Sequence, residues 1–475
     1  MKIAYKIAIA IIIYAMMAIP DPKNPFPIKE AQGYSTTSEW WGLYAQNLVK
    51  YRIINSAARS YYYDLHRSYL VSHLDQMELE LTEPDSPLLD SISYHINKLS
   101  ALASLVPNKI NEFEGDISRW RKLIKYQSRF WNTSSNTEGS RLYQLLVESR
   151  LAFESALVQS DFPSVSWTSL PLDNGFQYKS INDIVFQSGD IVAFNLSKEN
   201  DLCLSFRRDM PNAYDHLGSI YIQSGKGFVT YIDKETGLQS VGIETFLDNY
   251  APNGMILRVR PDLSQIIETP ELPVLVASRL YKMANEGRIK YDYQLDLDTR
   301  DYLYDWEMLN GVFKKYDFSL GTEKKLSNTH TIRVGSDKLI NEPFELEYDP
   351  QLMVVGEWYN TQTLYDKRVL TAATSSVILS SPKMRFVNPI LLPIYRIKKG
   401  LSMIMNQFGY KGLIAQGVSA QTQMALDALH QEQKKVVEEL SEELHKYESE
   451  QKHRATYLKM LQSAKEINHN KISGL

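Results

Sequence analysis

The sequence predicts an α+β protein with three parts: an all-helical domain, a strand-rich domain built on a small antiparallel barrel or sheet, and a long C-terminal helix. Three observations carry this. Residues 38 to 160 repeat apolar side chains at three- and four-residue spacing, beginning with Trp40, Leu43, Tyr44, Leu48 and Tyr51. Residues 188 to 232 hold short apolar runs separated by glycine-containing turns, which read as strands. Ser419 to Asn470 contains neither Pro nor Gly and is dense in Glu, Gln, Lys and Ala.

Length and composition set the outer bounds. A chain of 475 residues exceeds one ordinary core and allows two or three domains. Hydrophobic residues make up 44% and charged residues 23%, which places it among ordinary globular proteins. A net charge of −4 gives no reason to expect nucleic-acid binding. One cysteine, Cys203, excludes an intrachain disulfide and a Cys-rich zinc site.

Residues 1–19 read as a signal peptide or N-terminal anchor. Lys2 and Lys6 precede an uncharged apolar run from Ile7 to Ile19, thirteen residues (19 − 7 + 1). That length suits a signal core and is short for a span of about 20 residues. The expected localisation is therefore export or membrane anchoring, in a periplasm or cell envelope. Pro20, Pro22, Pro25 and Pro27 make residues 20–37 an extended spacer.

The helical domain spans 38–160. Ser86-Pro87 reads as a helix start, with a cap and a proline at the first position. Leu88, Ile92, Ile96, Leu99 and Leu102 then line one face, and Pro107 stops the helix. His66 and His73 share a helical face, and His95 lies in the next helix. No carboxylate cluster at ligand spacing accompanies them, so no metal site is assigned. Residues 161–182 are rich in turn formers and read as a linker.

The strand-rich domain, 183–388, opens on Ser188-Gly189-Asp190-Ile191-Val192. Ile191 to Phe194 is a strand behind a Gly-Asp turn. Leu217 to Ile222 is a second strand, with His216 at its mouth. Ser224-Gly225-Lys226-Gly227 is a reversal, and Phe228 to Ile232 is a third strand. A helix follows, because Val274, Ala277, Leu280, Tyr281 and Ala284 recur at helical spacing. A histidine at a strand end is positioned for acid–base work.

These phrases resemble the permuted papain-like hydrolases of the NlpC type, the YiiX/YebB-like proteins. Asp215-His216-Leu217-Gly218 is similar to the family's catalytic-base motif. Lys290-Tyr291-Asp292-Tyr293 is similar to its approach segment. Tyr304-Asp305-Trp306-Glu307-Met308 resembles its nucleophile motif, with Asp305 where the family carries Cys. The resemblance covers residues 185 to 375. It implies that His216 is the ancestral base and Asp305 stands at the ancestral nucleophile position. It also implies an orienting residue on the third strand, either Thr230 or Asp233, and a substrate surface including Tyr214, Tyr304 and Glu307. No cofactor is implied.

A carboxylate is a weak nucleophile towards amides, whereas the papain-like reaction needs a thiolate. Cys203 lies thirteen positions before His216 (216 − 203), in a connector, and reads as a buried inert thiol. Three functions follow. One is a catalytically inactive module that binds an amide- or acyl-bearing ligand, such as a cell-wall peptide or lipid. A second is a working amidase, peptidase or esterase using His216 and Asp305. The third is a structural or secretion-associated scaffold acting through its helices.

Residues 389–418 form an apolar connector with a basic collar of Arg396, Lys398, Lys399 and Lys411. Gly400, Gly409 and Gly412 are expected to interrupt any long helix there. The segment either docks on an anionic membrane surface through 389–414 or is buried against its neighbour. In 419–470, Leu426, Leu429, Val436, Leu440, Leu444, Leu458 and Leu461 form a seam. The seam fits one long helix or a weak coiled coil, open to self-association or a partner helix.

Overall fold

The computed structural model describes residues 36–133, 135–168, 175–196, 205–207, 211–234, 236–287, 289–292, 301–321, 331–333, 342–380, 388, 390–407, 414 and 419–473. Residues 1–19, the Pro-rich spacer up to residue 35, and Cys203 lie outside this set.

Among the described residues, five α-helices come first: α1 (Thr36–Arg52), α2 (Ser56–Leu79), α3 (Pro87–Ala103), α4 (Ile110–Gln127) and α5 (Asn136–Ser160). Their starts are written in the sequence. Asn55 accepts from the Ala58 N–H at 2.8 Å, Ser86 from Leu88 at 3.4 Å, and Ser135 from Glu138 at 3.1 Å. Each satisfies an N–H that the first turn leaves without a helical acceptor.

The strands follow: β1 (Ser164–Thr168), β2 (Tyr178–Ile181), β3 (Ile184–Gln187), β4 (Ile191–Asn195), β5 (Ser205–Arg207), β6 (His216–Gln223), β7 (Lys226–Asp233) and β8 (Gly237–Gly242). Next come α6 (Ile243–Asn249), β9 (Asn253–Val259), α7 (Ser264–Glu268), α8 (Leu272–Glu286), β10 (Lys290–Tyr291), β11 (Tyr302–Leu303), α9 (Asp305–Phe313), β12 (Thr331–Arg333) and β13 (Leu352–Asn360). The chain ends with α10 (Thr361–Ser380), α11 (Leu392–Gln407), α12 (Ala420–Gln451) and α13 (Tyr457–Ser473).

The main sheet is antiparallel throughout, in the order β1-β13-β9-β4-β6-β7-β8. Its ladder is an open sheet of seven strands. The β6–β7 reversal is a two-residue turn, with Ser224 at φ 51° and Gly225 at φ 74°. Two positive φ values match the right-handed twist of a hairpin. One face of the sheet packs on α8 and α9 through Ile191, Leu217, Met255 and Leu257. The other packs on α6 through Val192, Phe194, Ile220 and Tyr231.

Gly189 shows why the Gly-Asp turn needs its glycine. Its φ is +94°, and a Cβ there would lie 2.8 Å from the Pro273 side chain at the start of α8. Asp190 then accepts a two-pronged bond from Arg258 on β9, at 2.6 and 2.9 Å.

One apolar cluster joins α1–α5 to α10, α12 and α13 and reaches the main sheet at Tyr359 of β13, while each face of the sheet has an apolar cluster of its own. Buried ions run through the same junction. Arg121 of α4 pairs with Glu347 at 2.6 Å and with Glu357 of β13. Arg150 of α5 also pairs with Glu347, at 2.6 Å, and with Glu154 at 3.3 Å.

Four expectations are corrected. The predicted linker over 161–182 contains β1 and β2, and β1 forms the edge of the main sheet beside β13. The predicted single helix over 419–470 is two helices, α12 and α13, broken at Lys452, whose φ is 59°. Leu429, Val436, Leu440 and Leu444 of the seam are buried in the chain's own core, against α10 and α13. Gly400 does not interrupt its segment; it is buried within α11. Gly409 and Gly412 lie outside the described residues.

Candidate functional site

His216 is the first residue of β6, and Asp305 is the first residue of α9. They are 89 positions apart in sequence and meet with His216 Nδ1 3.2 Å from Asp305 Oδ1. The same oxygen accepts from the Leu217 N–H at 3.0 Å. Asp305 also sits where the N-terminal end of a helix favours negative charge. Both side chains are buried, each residue 2% exposed.

Two further charges extend the pair into a row. His216 Nε2 faces Asp215 Oδ1 at 4.0 Å, and Asp215 Oδ2 meets Lys367 Nζ of α10 at 3.3 Å. The signs therefore alternate: Lys367, Asp215, His216, Asp305. Burial opposes a charge on His216. The Asp305 carboxylate with its hydrogen bond, and then Asp215, outweigh that cost, so the pKa of His216 is raised. The ring lies on Phe194, its cross-strand partner, at 5.6 Å between centroids. The two carboxylates thus favour the protonated imidazole, in which both ring nitrogens are donors.

The two candidates for the orienting position have their partners elsewhere. Thr230 pairs with Ser219, three positions beyond His216 on β6. Side chains alternate along a strand, so an odd offset puts Thr230 on the opposite face. Its hydroxyl donates to Ser240 at 3.3 Å. Asp233 accepts from the N–H and hydroxyl of Thr236, at 2.8 and 2.9 Å, and holds the turn into β8. Tyr214 is buried beneath the Arg150 guanidinium, 4.6 Å from its ring. Tyr304 is buried, and its N–H donates to Glu307 at 3.2 Å, which caps α9. Tyr214, Tyr304 and the half-buried Glu307 thus each make contacts within the fold.

Asp215 and Lys367 are the members of the row to which sequence reasoning assigns no role. Asp215 stands next to His216 in the motif and was legible as a second acid. Lys367 is 152 positions away and carries no local signal.

The histidines of the helical region do converge. His66 Nδ1 lies 3.2 Å from His95 Nδ1, and His66 Nε2 lies 3.4 Å from the Tyr51 hydroxyl. The His73 ring is 5.8 Å from His95. Among the described residues, no group of three or more His, Cys, Asp or Glu is arranged to hold a metal. Burial first, then Lys98 and His95, lower the pKa of His66 to about 4; burial, His73 and Lys98 do the same for His95.

Against known proteins, no family model matches this chain and no curated protein matches it.

Proposed function

We propose that the strand-rich domain is a catalytically inactive relative of the permuted papain-like hydrolases, and that the protein works by binding rather than by hydrolysis. One observation supports this most: the carboxylate of Asp305 stands at a helix start against His216, where a thiol would have to stand. A papain-like site draws its rate from an ionisable thiol beside a base that accepts its proton. Here the base is paired between Asp215 and Asp305, and the carboxylate has no proton to give it. The pair serves as a clamp joining β6 to α9. The ligand class that the resemblance implies is amide- or acyl-bearing, a cell-wall peptide or a lipid, met after export or at a membrane.

The test is enzymatic. The wild-type protein should turn over neither peptide amides nor acyl esters, and thiol-directed acyl probes should not label it once Cys203→Ala is in place. Asp305→Cys in that background should gain labelling that disappears with His216→Ala. Wild-type turnover that vanishes in Asp305→Asn would establish a working hydrolase instead.

A further inference from the structure

α11 carries an apolar stripe that the rest of the described chain leaves in solvent. Ile394, Ile397, Leu401 and Ile404 recur at spacings of three and four, which is one helical face with Ile397 half-buried, and Ile390 stands just before the helix begins at Leu392. Ile390 is 83% exposed, Ile394 50%, Leu401 40% and Ile404 44%. The helix is held from another side. Tyr395 donates its hydroxyl to Asp427 of α12 at 2.7 Å, and Ser402 Oγ accepts from the Ile414 N–H at 2.8 Å. The stripe is therefore not an end that has come loose. It is the outward face of a docked helix.

The charge beside the stripe has one sign. From residue 367 to residue 426 the sequence contains no Asp or Glu and eight Lys or Arg, in a chain whose net charge is −4. Lys367 and Arg368 are used internally, by Asp215 and Glu154. Three of the others, Arg396, Lys398 and Lys399, are on α11 itself. Lys398 flanks the stripe, with its ammonium 4.7 Å from the Tyr395 ring.

An exposed apolar stripe on a helix that carries three cations and no acid of its own matches the two-part chemistry of an anionic bilayer surface. Apolar side chains enter the acyl boundary while the cations meet the headgroups. A nucleic acid would use the cations and leave the stripe in water. No described helix is long and apolar enough to cross a membrane, so the contact is one of lying on the surface. We propose that α11 docks the protein on anionic lipid through this face. The inference does not depend on whether His216 and Asp305 are catalytic.

The experiment is co-sedimentation of the full chain with vesicles of phosphatidylcholine alone and of phosphatidylcholine mixed with phosphatidylserine. Two variants are compared with wild type: Ile394→Gln/Leu401→Gln, and Lys398→Gln/Lys399→Gln. The changed apolar positions are at least 40% exposed, so the fold should survive, and circular dichroism checks that. Wild type should prefer the phosphatidylserine vesicles and lose binding as salt rises. Removing each cation should weaken that binding about fivefold. The apolar variant should weaken it as well. Wild-type affinity in both variants would overturn the proposal and leave any membrane contact to residues 1–19. A dimer converted to monomer by the apolar variant, with vesicle binding unchanged, would overturn it in favour of a second copy. Binding of duplex DNA that the cation variant loses, with no vesicle binding, would assign the face to nucleic acid.

Discussion

His216 and Asp305 form a buried pair whose opposite charges, 3.2 Å apart, favour the ionised imidazole. The folded-state pKa of His216 lies above its ordinary value of 6.5. The stability it supplies is therefore fully present below that value and is lost as pH rises through the raised one. Urea midpoints measured across this alkaline side should fall for wild type and fall less for His216→Gln. Equal slopes would mean that the imidazole is not charged in the fold. Asp305→Ala removes one partner of a buried pair and the acceptor for Leu217, and should cost about 3 kcal/mol near neutral pH. Asp305→Ala with wild-type stability would show that the clamp contributes nothing.

At the scale of elements, the α2–α3 pair carries the opposite pH response. His66 and His95 are both held down to about 4, so the folded state binds fewer protons than the unfolded chain between 6.5 and about 4. Their contribution is present above 6.5 and is lost as pH falls through that window. Melting temperatures should drop on acidification, and His95→Gln should flatten the drop. An unchanged acid limb in that variant would place the proton uptake elsewhere.

α10 is the element that periodicity misses. Thr361–Ser380 is rich in Thr and Ser, and its apolar residues do not keep to one side. It is buried by α12, α13 and α5, which is why its pattern carries no stripe. Its start is nonetheless legible, since Asn360 accepts from the Thr363 N–H at 3.0 Å. Asn360→Ala should cost about 1 kcal/mol, read from chemical denaturation.

Across the whole molecule, Glu347 ties the helical region to the strand-rich one. It receives Arg121 and Arg150 from two different helices and lies in the segment leading into β13. Breaking one partner of such a network leaves a buried charge without its counter-ion. Glu347→Gln should lower stability by about 3 to 5 kcal/mol. The helical and sheet signals should still be lost together, because the remaining buried pair of Arg121 with Glu357 and the seating of Tyr359 in the helical cluster tie the two regions to each other. Two separate transitions in wild type would show instead that the regions fold independently.

Local chemistry determined what could be read without a fold. The cap at Ser86, the Ser224-Gly225 turn and the strands around His216 depend on residues within a few positions of one another. The order of the base and nucleophile phrases likewise pointed to His216 and Asp305 as neighbours across 89 positions. Only the tertiary structure decided which face each side chain takes and what fills it. Thr230 lies on the wrong side of β7 for His216 by strand alternation alone, a parity that depends on the pairing register. The seam of α12 is filled by α10 and α13 because a helix reversal at Lys452 folds the chain back, which a three-four pattern does not encode. Lys367 and Glu347 acquired their roles from elements far away in sequence. A charge finds its counter-ion through space, and spacing along the chain carries no record of that distance.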